Sequence, residues 1–295
     1  MELQATLRRW GREIVAEGPG TACRNRNTCR MSIRKPNFMI IGAQKCGTTY
    51  LCAALSRHPQ VFHSDPKELL FFQRKDVSAE TFDDYLSNNF TAAGDQPLVG
   101  EGSTVYFQWP NALPNIKKYL GTDLKMIVCL RHPTDRAVSF YLHNYRKKRL
   151  TGAEVLTHSL GDVRVSPVTS SLYAKHIERW LEEYGDNMHF MLFDTLVESP
   201  TAFVGEACDY LGIPNVCQLR DKPVNRGFEL CWDGDSLVAM NEQGERLEGV
   251  GFSRQELEDL HASFSDDVEQ TERLIGRSLA TWKQLPTFLD KQKNW

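Results

Sequence analysis

A short segment near residue 45 combines the residue types that hold an anion on a protein backbone. It contains two glycines, a lysine and two threonines, in the order Gly42-Ala43-Gln44-Lys45-Cys46-Gly47-Thr48-Thr49. An apolar run at 38–41 precedes it and a helix is predicted from Thr48 to Arg57, so backbone N–H groups and the positive end of the helix dipole converge there. Glycine lets the backbone turn tightly, and threonine hydroxyls add donors. The segment therefore predicts a site for a phosphate or sulfate group.

The position of the lysine separates this segment from the phosphate loop of nucleoside-triphosphate enzymes. In the pattern G-x-x-x-x-G-K-[ST] the lysine follows the second glycine, whereas Thr48 stands there in this chain and Lys45 lies inside the loop. A lysine in that place reaches a group held within the loop itself. The alternative interpretation is a tight strand-to-helix turn whose lysine points into solvent.

A second candidate site follows another apolar run. Arg131 comes directly after the predicted strand 125–130, and Ser139 lies on the helix predicted to follow it. Ligands of open α/β sheets bind outside the carboxyl ends of the strands, so we expect Arg131 on the same edge as Lys45. A guanidinium fork and a hydroxyl can hold a second phosphate together. The alternative for Arg131 is an ordinary ion pair with Asp135.

The elements that must position these residues alternate between strands and helices. Strands are predicted at 38–41, 125–130 and 188–193, with helices after each of them and a last helix at 253–275. This order is typical of an α/β fold, here a single P-loop-like domain whose central parallel sheet has helices on both faces. Residues 1–35 are predicted as a helical and polar appendage, and the domain as residues 36–295. Polar connections at 73–98, 150–170 and 215–252 have the length of lids.

Composition narrows the classes of function. The chain has 295 residues, 41% of them hydrophobic, and a net charge of −3, which argues against a generally basic nucleic-acid binder. The eight cysteines match no zinc-binding spacing and are too sparse for a disulfide scaffold. No apolar run approaches the roughly 20 residues that span a bilayer. We therefore predict a soluble cytoplasmic protein with no nucleic-acid or membrane partner.

Five motifs in one register resemble the sulfotransferases that use 3′-phosphoadenosine 5′-phosphosulfate (PAPS), nearest the heparan-sulfate, carbohydrate-type and bacterial branch. The segment GAQKCGTTYL at 42–51 looks like the 5′-phosphosulfate loop, and LRHPTDRAVSFY at 130–141 looks like the 3′-phosphate segment. Residues 66–72 resemble the family's K-E-x-x-F-F motif, residues 100–107 its G-E-K-[ST]-x-x-Y-F motif, and residues 276–282 its closing G-R-x-x-x-W motif. The resemblance spans about residues 36–283 and identifies 36–295 as a sulfotransferase domain.

The resemblance implies in-line transfer of a sulfuryl group from PAPS to an acceptor hydroxyl or amine, with no metal. Lys45 and Glu68 are the implied catalytic residues, as the charge that neutralises the leaving phosphate and as the general base. The positions implied for the nucleotide are Gly42, Ala43, Gln44, Lys45, Cys46, Gly47, Thr48, Thr49, Arg131 and Ser139, with Arg226 or Arg246 in place of a missing loop. The positions implied for the acceptor are Lys67, Phe72, Ser103, Thr104 and Tyr106.

The identity of the base and of the acceptor stays open in the sequence. His63, His132 and His143 are alternative bases, because phenol-type members of the superfamily use a histidine. Gly102 stands where glycosaminoglycan-modifying relatives often carry a lysine, which favours a small-molecule acceptor over a glycan. We predict a monomer or a homodimer that binds PAPS and such an acceptor.

Two other functions compete with sulfuryl transfer. A P-loop kinase of a small metabolite needs a lysine after Gly47 and an acidic Mg²⁺ ligand at a strand end, for which Asp194 is the best candidate. A non-catalytic binder of nucleotides or sulfated glycans is the third possibility. The presence of both Lys45 and Glu68 favours an enzyme.

Overall fold

The computed structural model describes residues 33–146, 166–216, 229–241 and 243–286. Its centre is a five-stranded sheet in the order β2-β3-β1-β4-β5, and every pair of neighbouring strands is parallel. The strands are β1 (Phe38–Gly42), β2 (Val61–His63), β3 (Leu98–Gly102), β4 (Lys125–Leu130) and β5 (Met188–Leu192).

Burial on both faces explains why β1, and β4 after its first residue, consist almost entirely of apolar residues. All of β1 is buried, and β4 is buried after its first residue. A parallel sheet covered on both sides leaves no polar face, so its strands lack the alternation of half-exposed strands. The predicted strands at 38–41, 125–130 and 188–193 match β1, β4 and β5 closely.

Helices flank this sheet, which confirms the predicted fold class. In the helix Ala174–Tyr184 the residues Ile177, Trp180 and Tyr184 recur at helical spacing and are buried. Ser199 caps the next long helix by accepting a hydrogen bond from the Ala202 N–H at 3.2 Å. The helices are α1 (Thr48–Leu55), α2 (Ala79–Asn89), α3 (Ala112–Leu120), α4 (Pro133–Arg146), α5 (Ala174–Tyr184), α6 (Phe193–Glu198), α7 (Pro200–Leu211), α8 (Arg254–Ala262) and α9 (Ser265–Ile275).

A second, antiparallel sheet corrects the prediction of a polar connection over 215–252. It consists of β6 (Glu229–Asp233), β7 (Ser236–Met240) and β8 (Arg246–Ser253). Phe252 packs edge-on against Tyr141 of α4 with ring centroids 5.3 Å apart, which attaches β8 to the main body. The helix predicted at 253–275 is also divided in the structure, where α8 ends at Ala262 and α9 begins at Ser265.

Three other expectations meet the structure only in part. The connection predicted at 73–98 contains α2, whose N-terminus carries a capping box formed by Ser78 and Thr81. Most of the connection at 150–170 and of the appendage at 1–35 lies outside the described residues, so the domain division stays a prediction. Within the described part of the chain, no helix has both the length and the apolar character to cross a membrane.

Candidate functional site

The sheet order places one crevice at the carboxyl ends of the strands. The connection after β1 runs toward β2, and the connection after β4 runs toward β5, on the opposite side of the sheet. Ligands of open parallel sheets bind where neighbouring connections diverge in this way. The segments that border the crevice are residues 43–47 after β1 and Arg131 after β4.

The loop after β1 leaves the N-terminus of α1 open to an anion. Gly47 is the N-cap, so no side chain accepts a hydrogen bond from the first turn, which also contains no acidic residue. The helix N–H groups that lack partners there can bind an oxyanion. Gly47 has φ 86°, and a Cβ on it would lie 2.7 Å from Leu196 Cδ2 and 3.2 Å from Phe193 Cδ2. Lys45, half-buried, also adopts a left-handed backbone with φ 69°.

Arg131 lies beside the same helix end. Its guanidinium carbon is 4.5 Å from the centroid of the Phe193 ring, the ring that a side chain at position 47 would touch. The Nε atom of Arg131 is buried and has no hydrogen-bond partner. The Tyr173 hydroxyl donates to the Arg131 carbonyl at 2.8 Å and lies 3.8 Å from Cys46 Sγ, which joins the two segments. The predicted juxtaposition of Arg131 with the glycine loop is therefore present.

Arg136 is a residue of the site that the sequence analysis missed. Its side chain is fully buried. Nε donates to the Gln44 carbonyl at 3.0 Å, and Nη1 donates to Ser171 Oγ at 2.9 Å. The hydrogen bond to the Gln44 carbonyl places the buried guanidinium of Arg136 directly against the loop that contains Lys45. No clear signal of this role is present in the sequence, because an arginine within a helix usually lies at the surface.

A second cluster forms after β2 and β3, around Glu68. One carboxylate oxygen of Glu68 accepts from the Thr104 N–H at 2.9 Å, and the other accepts from Thr104 Oγ1 at 2.8 Å. The latter oxygen also forms an ion pair with Lys67. The Glu68 side chain retains 31% exposure, so its carboxylate can meet a molecule arriving from solvent. The predicted residues Lys67, Glu68 and Thr104 thus come together.

Comparison with known proteins identifies the family. A sequence model described as the sulfotransferase domain matches residues 35–282. This chain belongs to the sulfotransferase family. Human heparan sulfate glucosamine 3-O-sulfotransferase 6 is 32% identical over 68% of the chain and 56% of its own length. Mouse bifunctional heparan sulfate N-deacetylase/N-sulfotransferase 3 is 25% identical over 84% of the chain and 31% of its own length. The chain therefore spans slightly more than half the length of the first relative and about a third of the length of the second.

A solved sulfotransferase shares the fold. The crystal structure of a sulfotransferase from Alicyclobacillus acidocaldarius superposes with a TM-score of 0.68 at 25% sequence identity. The match covers 85% of this chain and all of that one. The match thus confirms the single α/β architecture of the family.

The histidines proposed as alternative bases occupy different surroundings in this sulfotransferase-family chain. His63 Nδ1 lies 3.0 Å from the Ser64 carbonyl, Nε2 is buried, and burial lowers the pKa of the ring. His132 Nε2 lies 3.1 Å from the Gln284 carbonyl, and its ring stacks on His261. His143 lies half-buried on α4. Neither His63 nor His132 presents a ring nitrogen to solvent as openly as Glu68 presents its carboxylate.

Several predicted positions lie buried beneath the Glu68 cluster or away from both clusters. Phe72 and Tyr106 are fully buried, and Ser103 is nearly so. Ser139 is half-buried on α4. Arg246 forms an exposed ion pair with Asp233, 2.5 Å away, on the antiparallel sheet. Arg226 lies outside the described residues.

Asp194, suggested as the Mg²⁺ ligand of a kinase, forms a structural hydrogen bond with a tryptophan. Asp194 Oδ2 accepts a hydrogen bond from Trp282 Nε1 at 2.9 Å. Thr48, in the place of the kinase lysine, is buried at the start of α1. Among the residues described, no group of three or more His, Cys, Asp and Glu side chains is arranged to hold a metal ion.

Proposed function

We propose that this chain transfers a sulfuryl group from PAPS to a hydroxyl or amine of a small molecule. One observation carries the proposal: the uncapped N-terminus of α1 at Gly47 and the Arg131 guanidinium both lie beside the Phe193 ring. PAPS is the donor that the family generally uses. The site fits two anionic groups, since one end offers helix N–H groups and the other a buried Arg131 Nε that lacks a partner.

The donor half of the site consists of the elements around β1 and β4. Lys45, Thr48 and Thr49, with the loop N–H groups, are assigned to the 5′-phosphosulfate, and Arg131 with Ser139 to the 3′-phosphate. Lys45 stabilises the negative charge that develops on the leaving phosphate as its bond to sulfur breaks. PAPS supplies the sulfuryl group, and adenosine 3′,5′-bisphosphate is the second product.

The acceptor half consists of the segments after β2 and β3. Glu68 takes the proton from the acceptor hydroxyl or amine as the new bond to sulfur forms. Thr104 holds both carboxylate oxygens and thereby fixes the direction in which Glu68 faces. Lys67 balances the charge of the carboxylate in its resting state.

A small acceptor is favoured by the lack of space at Gly102. A Cβ at this position would lie 2.5 Å from Cys52 Sγ, so a longer side chain there requires the Cys52 side chain or α1 to shift. The second candidate is a carbohydrate acceptor, which the names of the heparan sulfate relatives favour. Incubating the protein with PAPS and either small alcohols and amines or desulfated heparan oligosaccharides separates the two acceptors.

The donor assignment is tested by removing the lysine. We expect Lys45→Ala to abolish formation of adenosine 3′,5′-bisphosphate from PAPS while the protein remains folded by circular dichroism. Lys118→Ala, an exposed lysine on α3, is the matched control and should keep full activity. Glu68→Gln should abolish transfer and leave binding of adenosine 3′,5′-bisphosphate nearly unchanged.

Turnover of Lys45→Ala at the wild-type rate would contradict the donor assignment. Turnover of Glu68→Gln would instead move the base to one of the histidines. A wild-type protein that consumes ATP with Mg²⁺ and ignores PAPS would favour the kinase alternative.

A further inference from the structure

Three hydrogen bonds attach the Glu68 segment to the end of β3 and the turn after it. The N–H groups of residues 68, 70 and 72 donate in turn to the Gly102 carbonyl at 2.9 Å, to Ser103 Oγ at 3.1 Å and to the Tyr106 hydroxyl at 3.2 Å. Alternate backbone N–H groups of the segment thus donate hydrogen bonds to residues 102–106, as they do along an edge of a β-strand.

The segment needs these partners because its backbone is strained. Glu68 has φ 66° and Leu70 has φ 57°. Residues other than glycine rarely adopt this left-handed conformation, and it costs free energy at each position. Two such residues in three positions persist only where surrounding contacts determine them. The direction of the Glu68 side chain therefore depends on the residues that hold positions 68 to 72.

A buried carboxyl lies behind the middle contact. The Ser103 hydroxyl has one hydrogen, which it donates to Glu101 Oε2 at 3.2 Å while its oxygen accepts from the Leu70 N–H. Glu101 lies on β3 and is fully buried. Burial raises the pKa of its carboxyl to about 8, with the nearby Glu68 charge acting in the same direction, so the group is neutral at pH 7. A neutral acid can remain beside Glu68 without repelling it.

We propose that Glu101 is a positioning residue, which acts through Ser103 on Leu70 and so holds Glu68 at the sheet edge in the orientation needed to take a proton. The inference rests on the proposed function for its consequence in catalysis. Glu101 itself touches neither donor nor acceptor, because it has no exposed surface. The relay runs from the Glu101 carboxyl to the Ser103 hydroxyl, to the Leu70 N–H and to the left-handed turn at Glu68.

The test compares Ser103→Ala, Glu101→Leu and Glu101→Gln with Ser87→Ala, an exposed serine on α2, as the control. Misplacing a reacting group by about 1 Å costs on the order of 100-fold in rate. We expect Ser103→Ala and Glu101→Leu to lower kcat by about 10- to 100-fold, with KM for PAPS within about twofold of wild type. Glu101→Gln should retain most of kcat, because an amide oxygen can accept from Ser103. The Ser87→Ala control should match the wild type.

Amide hydrogen exchange gives a readout that does not require activity. We expect exchange of the 68–72 amides to become faster in Ser103→Ala and to stay at the wild-type rate in Glu101→Gln. If the wild type transfers nothing from PAPS, the proposed function fails, and this experiment still decides whether the relay holds the segment. Wild-type kcat together with wild-type exchange in Ser103→Ala would overturn the inference. An equal loss of kcat in Glu101→Gln and Glu101→Leu would overturn the role assigned to Glu101, even if Glu101→Leu proved to be unfolded.

Discussion

Replacing Glu101 by glutamine should make the stability of the protein less dependent on pH. The Glu101 carboxyl has a pKa of about 8 in the folded state, raised first by burial, against an ordinary value of 4.5. Between these values the folded protein keeps a proton that the unfolded chain has lost. The free energy of unfolding therefore falls as the pH rises through this window, and the loss is complete above pH 8. Glutamine does not titrate and removes this dependence.

The size of the effect follows from the width of the window. Each unit of pKa difference corresponds to about 1.4 kcal/mol, so the shift from 4.5 to about 8 amounts to about 5 kcal/mol over the whole window. At pH 7, about 3 kcal/mol of this is expressed. The free energy of unfolding of Glu101→Gln minus that of the wild type should therefore rise by about 3 kcal/mol from pH 4.5 to pH 7.

Urea unfolding followed by circular dichroism at several pH values between 4.5 and 8 measures this difference. Glu182→Gln, an exposed glutamate on α5, is the control, and its difference from wild type should not change along the series. A constant difference between Glu101→Gln and wild type would refute the reasoning, because it would mean that Glu101 ionises alike in both states. A difference that grows in the variant's favour as the pH falls would refute the sign.

Two further predictions concern the donor half of the site. Gly47→Ala should weaken binding of adenosine 3′,5′-bisphosphate by at least about 10-fold in calorimetry, because its Cβ would lie 2.7 Å from Leu196 Cδ2 and 3.2 Å from Phe193 Cδ2, so side chains beside the Arg131 guanidinium must shift. Gly244→Ala, at φ 77° with open space around it, shares only the backbone strain and should leave binding unchanged; equal affinities for the two variants would contradict the steric argument. Arg136→Met should keep the fold but lower the same affinity by about 10-fold, since the Gln44 carbonyl loses its donor. An unchanged dissociation constant would show that the Arg136 charge does not act on the loop.

Sequence periodicity predicted the elements whose residues are uniform in character. The continuous apolar runs predicted β1, β4 and β5. Lys45 and Arg131 lie just after β1 and β4, so the sequence predicted the edge of the sheet at which the donor half of the site lies. Parallel strands that are buried on both faces leave the strongest signal in a single sequence.

The acceptor half was harder to predict for a physical reason. β2 is three residues long, and β3 consists of Leu98, Val99 and Glu101 with two glycines, so neither strand has an apolar run. A buried acid is rare unless it is paired, and composition alone does not distinguish Glu101 from a surface residue. The residues around Glu68 were recognised only through the resemblance of their motifs to a family. The hydrogen bonds by which residues 102–106 hold the Glu68 segment became visible only in the structure.

The antiparallel sheet was missed although β6 and β7 are as long as β1 and β8 is longer. Its hairpins turn at Gly234 and Gly244, both with positive φ, among charged residues that read as a polar connection. Arg136 was missed because an arginine within a helix usually lies in solvent, whereas this one is buried. Both errors arise where tertiary contacts outweigh local preference.

Under the proposed function, the order of the strands separates the residues assigned to the donor from those assigned to the acceptor. Lys45 and Arg131 follow β1 and β4, whereas Glu68 and Thr104 follow the adjacent pair β2 and β3. Under the proposed function, the turns on the β2–β3 side can therefore be changed without changing the residues assigned to the nucleotide. Grafting residues 64–72 together with 103–107 from another member is the smallest exchange that respects this boundary, because each of these turns is built on the other.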